Sequence, residues 1–345
     1  MLYNIPIEKL EERYSADWYN YFTHEFKRLH IKHITVYPQP LSSDIQQGSF
    51  LDVSGTNYFK AKQLSKICEM VFAKEIKARD IFFFGDLWFP GIEMLAYIRD
   101  GMDLDFKICG ILHAGTYDPY DFLHRKGMHK WGEDLENSWF KIFDAIFVAT
   151  NFHKELLTTT RKVPKKKIFV TGLPIYPDKF VKERTKKENI VVFPHRLDPE
   201  KNPETFDTCA KKFRKIYPDW KFIKTKDVCS NKQEYYNLLN KAKIAVSFAD
   251  QETWGIAMQE ATFCGCIPLV PNKLSYFEMY KPIFKYKDLN AFEKKLALLM
   301  RKVSRSCFKV FYLKNLKEQQ FHLKKEGELA IRKMVRIMKG KNWLN

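Results

Sequence analysis

The stretch Ser247–Val270 reads SFADQETWGIAMQEATFCGCIPLV, and the order of its residue types decides the fold. An apolar run, Ile244–Phe248, reads as a strand. A polar loop carrying Glu252 follows it. Gly255 then opens a helix that runs to about Phe263, with Gly265 as its stop signal, and Ile267–Val270 reads as the next strand. This order puts the loop at the C-terminal edge of a parallel sheet, where open α/β folds bind ligands. The N–H groups of Gly255, Ile256 and Ala257 are expected to be free at the helix N-terminus, where the dipole favours an anionic phosphate. Glu252 before the helix and Glu260 inside it can each accept hydrogen bonds from sugar hydroxyls. From the residues alone, such a pair usually serves capping and solvation.

Outward from this segment the same alternation repeats. Strand candidates are His33–Tyr37, Asp80–Phe84, Phe106–Leu112, Ala145–Ala149, Ile168–Thr171, Ile190–Phe193 and Lys221–Thr225. Helical patterns lie between most of them, for example Phe59–Lys77, Ile92–Arg99, Asn151–Thr158, Pro203–Ile216 and Gln233–Lys241. Continuous Ile/Val/Phe runs mark strands buried on both faces, and repeated β-α-β alternation predicts parallel sheets covered by helices. The hydrophilic segment Pro177–Glu188 (PDKFVKERTKKE) interrupts the pattern, which restarts at Asn189. The expected organisation is therefore an α/β chain of two Rossmann-like domains facing across a cleft. Residues 1–180 form the first and 189–314 the second, and a long basic helix over 315–345 packs back on the first.

Composition narrows the class. The 345 residues are 45% hydrophobic and 15% aromatic, which suits a well-packed globular protein and not a disordered one. No run approaches the ~18–20 apolar residues that span a bilayer. The first residues, MLYNIPIEKLEERYS, carry charge where a signal peptide needs an apolar stretch, so the chain reads as cytoplasmic. Seven scattered cysteines read as reduced thiols, and Cys264-Gly265-Cys266 alone makes no zinc site. The formal charge of +18 attracts polyanions or reflects a solvated lysine-rich surface. No G-x-G-x-x-G follows an early strand, which disfavours a Rossmann dehydrogenase.

A second segment, Val192–Asn202 (VFPHRLDPEKN), ends a strand in a loop with Arg196 and Lys201 before Pro203 starts a helix. Two cations at a strand's C-terminal edge suit a diphosphate, because they neutralise charge that grows on a leaving group. Taken with this segment, ETWGIAMQE followed by ATFCGCIP resembles the E-x7-E segment of the large retaining GT-B glycosyltransferase group (group 1, family 4 type). That group includes glycogen- and sucrose-type synthases and phosphatidylinositol mannosyltransferases. Trp254 stands where the family usually has Phe, and His195 where its G-R-L-x-x-x-K segment commonly has Gly. The resemblance implies that Glu252 contacts the donor sugar and that the backbone at Gly255–Ala257 cradles sugar and diphosphate, with Trp254 also in the donor site. It further implies that Glu260 binds the ribose and that Arg196 and Lys201 hold the pyrophosphate. Lys201 and Glu252 are expected to line a solvated cleft, so that replacing either by Ala abolishes turnover with little loss of fold.

In the first half, His113 ends the strand of Ile108–Asp121 (ICGILHAGTYDPYD) and matches the family histidine that touches the donor sugar; its alternative is a turn histidine. Asp118 and Asp121 follow, as acceptor contacts or helix caps. Ile81–Gly91 (IFFFGDLWFPG) presents Asp86 and Trp88 at a strand end, either as an acceptor platform or as a cap beside a core tryptophan. Gly48 and Ser49 occupy the loop that, in the family, lies after the first strand near the donor phosphates, although the usual Gly-Gly pair is missing. The region 81–154 also resembles phage-encoded glycosyltransferases in general look, which implies host cytoplasm as the location.

The expected activity is retaining, metal-independent transfer of a hexosyl or pentosyl group from a UDP-, GDP- or ADP-sugar, with no cofactor. His113, Arg196, Lys201 and Glu252 carry the chemistry. Fixed cations stand in for a metal, and Asp103-Leu104-Asp105 matches a D-x-D metal signature only by letters, because it precedes its strand. The acceptor read first is a hydroxylated base in DNA, through the charge and aromatics. A saccharide or lipid-linked acceptor at an anionic membrane surface is second, through the basic C-terminal helix. A non-catalytic nucleotide-sugar or nucleic-acid binding protein on this scaffold is third.

Overall fold

The computed structural model describes residues 1–10, 14–38, 53–182, 185–302 and 306–344. The chain divides into two compact units. One holds Met1–Ala149, His153–Pro174 and Leu329–Asn345; the other holds Thr150–Phe152 and Ile175–Glu328.

The first unit begins β1 (Leu2–Ile5), α1 (Tyr14–Arg28), β2 (His33–Thr35), α2 (Val53–Phe72), β3 (Ile81–Phe84) and α3 (Glu93–Gly101). It continues β4 (Lys107–Ile111), α4 (Phe122–Arg125), α5 (His129–Ile142), β5 (Ala145–Val148), α6 (Asn151–Thr160), whose first two residues count with the second unit, and β6 (Ile168–Val170). Its sheet runs β2-β1-β3-β4-β5-β6 with every pair parallel. Ile81–Phe84 is 0% exposed, as a strand covered on both faces must be. The sequence reading starts this sheet at His33, whereas the first strand is Leu2–Ile5, seated between β2 and β3. Four residues with Asn4 among them make too short an apolar run to stand out. Its pairing with β2 and β3, both later in the chain, fixes it in the sheet. The segment holding Gly48 and Ser49 therefore follows the second strand, and both residues lie outside the described residues.

The second unit carries β7 (Glu188–Phe193), α7 (Pro203–Ile216), β8 (Lys221–Lys224), α8 (Thr225–Val228), α9 (Lys232–Lys241) and β9 (Ala242–Val246). Then come α10 (Ile256–Phe263), β10 (Ile267–Pro271), α11 (Tyr276–Met279), β11 (Lys285–Tyr286), α12 (Leu289–Lys302) and α13 (Ser306–Gly340). Its sheet runs β11-β10-β9-β7-β8, again parallel throughout. From β7 the chain goes to β8 on one side and returns to place β9 on the other. The order reverses between β7 and β9, and such a switch point opens a crevice at the strands' C-terminal ends. The fold is thus two Rossmann-like parallel α/β units.

Helix α13 counts with the second unit up to Glu328 and with the first from Leu329. Within the first unit, Ala330, Ile331, Met334 and Met338 are 0% exposed, the i, i+4 stripe of an amphipathic helix. Met338 Sδ lies 3.8 Å from Cys109 Sγ, and Arg332 Nε donates to Glu25 at 3.2 Å. The helix end packs back on the first unit because this stripe is apolar, with Ile331, Met334 and Met338 each contributing about 1.5–3 kcal/mol. Among the described residues, no helix is long and apolar enough to cross a membrane.

Candidate functional site

Three groups from the two loops at the switch point meet in the second unit. After β7 the chain makes a short 3-10 turn, Pro199–Lys201, that ends at Asn202 in the left-handed region (φ 55°, ψ 55°). Asn202 Nδ2 donates to Phe248 O at 2.9 Å and to Asp250 Oδ2 at 2.7 Å, which ties this turn to the loop after β9. Asp250 N–H returns a bond to Glu200 O at 2.8 Å. The stitch delivers Lys201 Nζ to Gln251 O, to Gln251 Oε1 at 3.3 Å and to Glu252 Oε2 at 3.4 Å. Lys201 and Glu252, far apart in sequence, therefore form an ion pair whose side chains are only 6% and 15% exposed.

Glu252 faces both ways. Its Oε1 accepts from Gly255 N–H at 2.8 Å and from Trp254 N–H at 3.4 Å. Gly255 is the N-cap of α10, at φ 66° and ψ 45°, and a Cβ there would sit 2.8 Å from the Tyr276 ring. Only glycine meets both demands. Burial pushes the Glu252 carboxyl up, but Lys201, His195 and the two amides outweigh it and hold the group below its ordinary value. Two expectations change here. The Gly255 N–H is not free for a phosphate, because Glu252 caps it; Ile256 and Ala257, in the first turn of α10, have no intrahelical acceptor for their amides. Lys201 does not line a solvated cleft, since it is 5% exposed and holds two loops together.

Arg196 sits on the same loop with its side chain 36% exposed, 3.5 Å from Asp198 and 3.3 Å from Glu200. Glu260 lies one turn into α10. Its Oε2 accepts from Tyr235 OH and its Oε1 from Tyr236 OH, each at 2.9 Å. Burial first, then the Glu260 charge, raises the Tyr235 hydroxyl well above its usual range, so it remains a donor. Neither tyrosine was singled out from the sequence. The signal was the doublet at 235 and 236, two adjacent helical tyrosines that cannot both face a core. His195, noted only as a departure from glycine, is 3% exposed with its imidazole pulled down to about 3 by burial and by Lys201 and Arg196 against Glu252.

The first unit holds the remaining candidates. His113 Nε2 pairs with Gly85 O at 2.9 Å, and its Nδ1 lies 3.5 Å from Tyr14 OH. Burial lowers its pKa, with Asp86 and the Gly85 carbonyl opposing. Asp86 Oδ1 accepts from Trp88 N–H at 3.1 Å, and its Oδ2 lies 3.5 Å from Lys60 Nζ. Trp88 Nε1–H donates to buried Glu136 at 3.0 Å. Glu136 also takes Thr116 N–H at 2.5 Å and Arg161 Nε at 2.9 Å. Asp118 Oδ1 accepts from Tyr120 N–H at 3.0 Å, and Asp121 caps α4 through Leu123 N–H at 2.9 Å. These bonds build the loops after β3 and β4 as turns and caps around one buried carboxylate.

No protein-family model matches the chain. It is similar to the tRNA-queuosine alpha-mannosyltransferase of Drosophila melanogaster, with 33% identity over 129 residues, 31% of this chain and 34% of that protein. The match thus spans about a third of that relative's length. Among solved structures, sucrose-phosphate synthase from Thermosynechococcus elongatus superimposes with a TM-score of 0.66 at 11% identity, covering 99% of this chain and 98% of the other. The Anabaena protein HepE in complex with UDP and glucose gives 0.61 at 9% identity, covering 98% and 99%. At such identities the likeness is one of fold.

Proposed function

We propose that the chain is a retaining glycosyltransferase that moves a sugar from a nucleoside-diphosphate sugar to a hydroxyl on a modified nucleoside of a polynucleotide. The observation that carries the reading is the Lys201–Glu252 pair at the β7/β9 switch point, beside the N-terminus of α10. Cations and a helix N-terminus there suit a diphosphate, and carboxylates suit ribose and sugar hydroxyls. Glu260, already holding two tyrosine hydroxyls, presents the geometry a ribose diol would replace.

In the reaction, the bond between the anomeric carbon and the diphosphate oxygen breaks, and its electron pair leaves with the phosphate. Arg196, Lys201 and the Ile256–Ala257 amides stabilise that charge. The acceptor oxygen bonds to the anomeric carbon on the same face and its proton passes to the departing phosphate, so the products are the glycosylated acceptor and a nucleoside diphosphate. Glu252 orients the sugar. His113, Asp86, Trp88 and Asp118 are proposed contacts to the sugar or the acceptor.

Support for a nucleic-acid acceptor comes from the +18 charge and from the relative that acts on queuosine in tRNA. That relative favours tRNA over the hydroxylated DNA base read first from the sequence. Against the membrane surface, the apolar stripe of α13 from Ala330 to Met338 is already buried, so this stretch offers charge without an insertable face. The test is incubation with UDP-, GDP- and ADP-sugars and, separately, tRNA, hydroxymethylated DNA or anionic vesicles bearing a lipid-linked saccharide. Released nucleoside diphosphate and a sugar's mass gain on a tRNA nucleoside are expected. Gain on DNA alone moves the acceptor to DNA, and silence across all donors and acceptors returns the chain to a binding role.

A further inference from the structure

His195 follows β7 by two residues, in the loop that also carries Arg196 and Lys201. The residue is 3% exposed, and among the described residues its Nε2 has no hydrogen-bond partner. A ring nitrogen in that position has given up water and gained nothing, a cost that proteins rarely keep without a use. The ring is set edge-on against Phe193, with centroids 5.1 Å apart and planes at 65°. Its charged neighbours are Lys201, Glu252 and Arg196, drawn from both loops at the switch point. Burial, Lys201 and Arg196 keep the imidazole neutral, so it holds a single N–H and brings no charge of its own. With two cations against one carboxylate nearby, the surroundings are net positive, and the ligand atom that suits such an N–H is an anionic oxygen.

We propose that His195 Nε2–H donates to a phosphate oxygen of the bound nucleoside diphosphate, as a fixed uncharged contact beside Arg196 and Lys201. The proposal rests on the functional reading above and adds a binding residue to the donor site. A glycine at this place offers no side-chain donor, so the contact belongs to this chain's own version of the loop.

Isothermal titration of GDP, UDP and ADP into the full chain comes first, followed by the same titration into His195→Leu and His195→Gln. Leu keeps the volume and removes the donor; Gln puts an amide N–H near the position of Nε2. His195→Leu is expected to weaken the diphosphate that binds wild type by about 10- to 100-fold, the worth of a hydrogen bond to a charged group. His195→Gln is expected to recover affinity to within about threefold. The unliganded melting temperature of His195→Leu should equal or exceed that of wild type, because an orphaned polar atom has been replaced by hydrocarbon. Wild-type affinity in His195→Leu would overturn the inference alone. So would equal losses in both variants together with a lower unliganded melting temperature, which would mark a structural histidine. Failure of all three nucleotides to bind wild type would instead remove the functional reading, and this contact with it.

Discussion

Replacing Lys201 by Met tests whether the two loops at the switch point are held by one buried charge. The substitution keeps the aliphatic stem and removes the ammonium. At 3.4 Å from Glu252, the direct attraction is about 5 kcal/mol at an effective dielectric near 20. Removing the ammonium also spares its own desolvation, and Glu252 keeps its amide contacts at Gly255 and Trp254. Breaking one partner of a buried pair costs about 3–5 kcal/mol, and these retained contacts place Lys201→Met near the lower end, about 3 kcal/mol at pH 7. For a unit of this size that is a melting decrease of roughly 6–12 °C. The pH dependence follows from the sign of the Glu252 shift. Its folded pKa lies below the ordinary 4.5, so its ionised form contributes stability that is complete above that value and lost as pH falls through the folded pKa. Lys201→Met removes the strongest group holding the carboxyl down. The gap between wild type and variant should therefore be widest at pH 7 and narrow as the pH falls below about 4.5. Thermal melts at pH 7 and at about pH 4 read both effects. An unchanged melting temperature at pH 7, or the same decrement at both pH values, would refute the idea that this pair staples the site.

Arg196→Ala should cost less than about 1 kcal/mol in urea unfolding, because its side chain is over a third exposed, yet weaken nucleoside-diphosphate binding about tenfold by calorimetry. Gly255→Ala places a Cβ against Tyr276 at a positive φ and should lower stability by about 1–3 kcal/mol, read as a lower urea midpoint. Glu260→Ala should weaken nucleotide binding by about tenfold or more, while Tyr235→Phe, which leaves the Tyr236 bond in place, should change it less than about threefold. His153 and His195, both held at about 3, stay neutral in the fold while the unfolded chain protonates near 6.5. Stability should hence fall by up to about 1.4 kcal/mol per pH unit per histidine as pH drops from about 6.5 toward 3, and His153→Leu with His195→Leu should flatten that slope in urea titrations.

Much of this architecture is legible in the chain itself. The runs at Ile81–Phe84, Ala145–Val148 and Ile190–Phe193 announce strands because burial on both faces admits only apolar residues. Pro203 and Gly265 mark helix ends because their backbone restrictions act locally. The loop residues Arg196, Lys201 and Glu252 stand out because each follows such a strand, and Glu260 because it lies one turn into the helix that comes after. Leu2–Ile5 escaped notice because four residues with an asparagine carry too little pattern, and Tyr235 and Tyr236 because their helix is read for its apolar stripe.

What the amino-acid order determined by itself was the alternation of strands and helices, its restart near Asn189, and which loops carry cations and carboxylates. These are properties of neighbouring residues. The tertiary structure alone decided that β7 and β9 lie side by side although β8 comes between them in the chain, since strand pairing is a choice among distant partners. From that adjacency follow the Lys201–Glu252 pair and the Asn202–Asp250 bond, each of which depends on what a second loop brings within hydrogen-bond range.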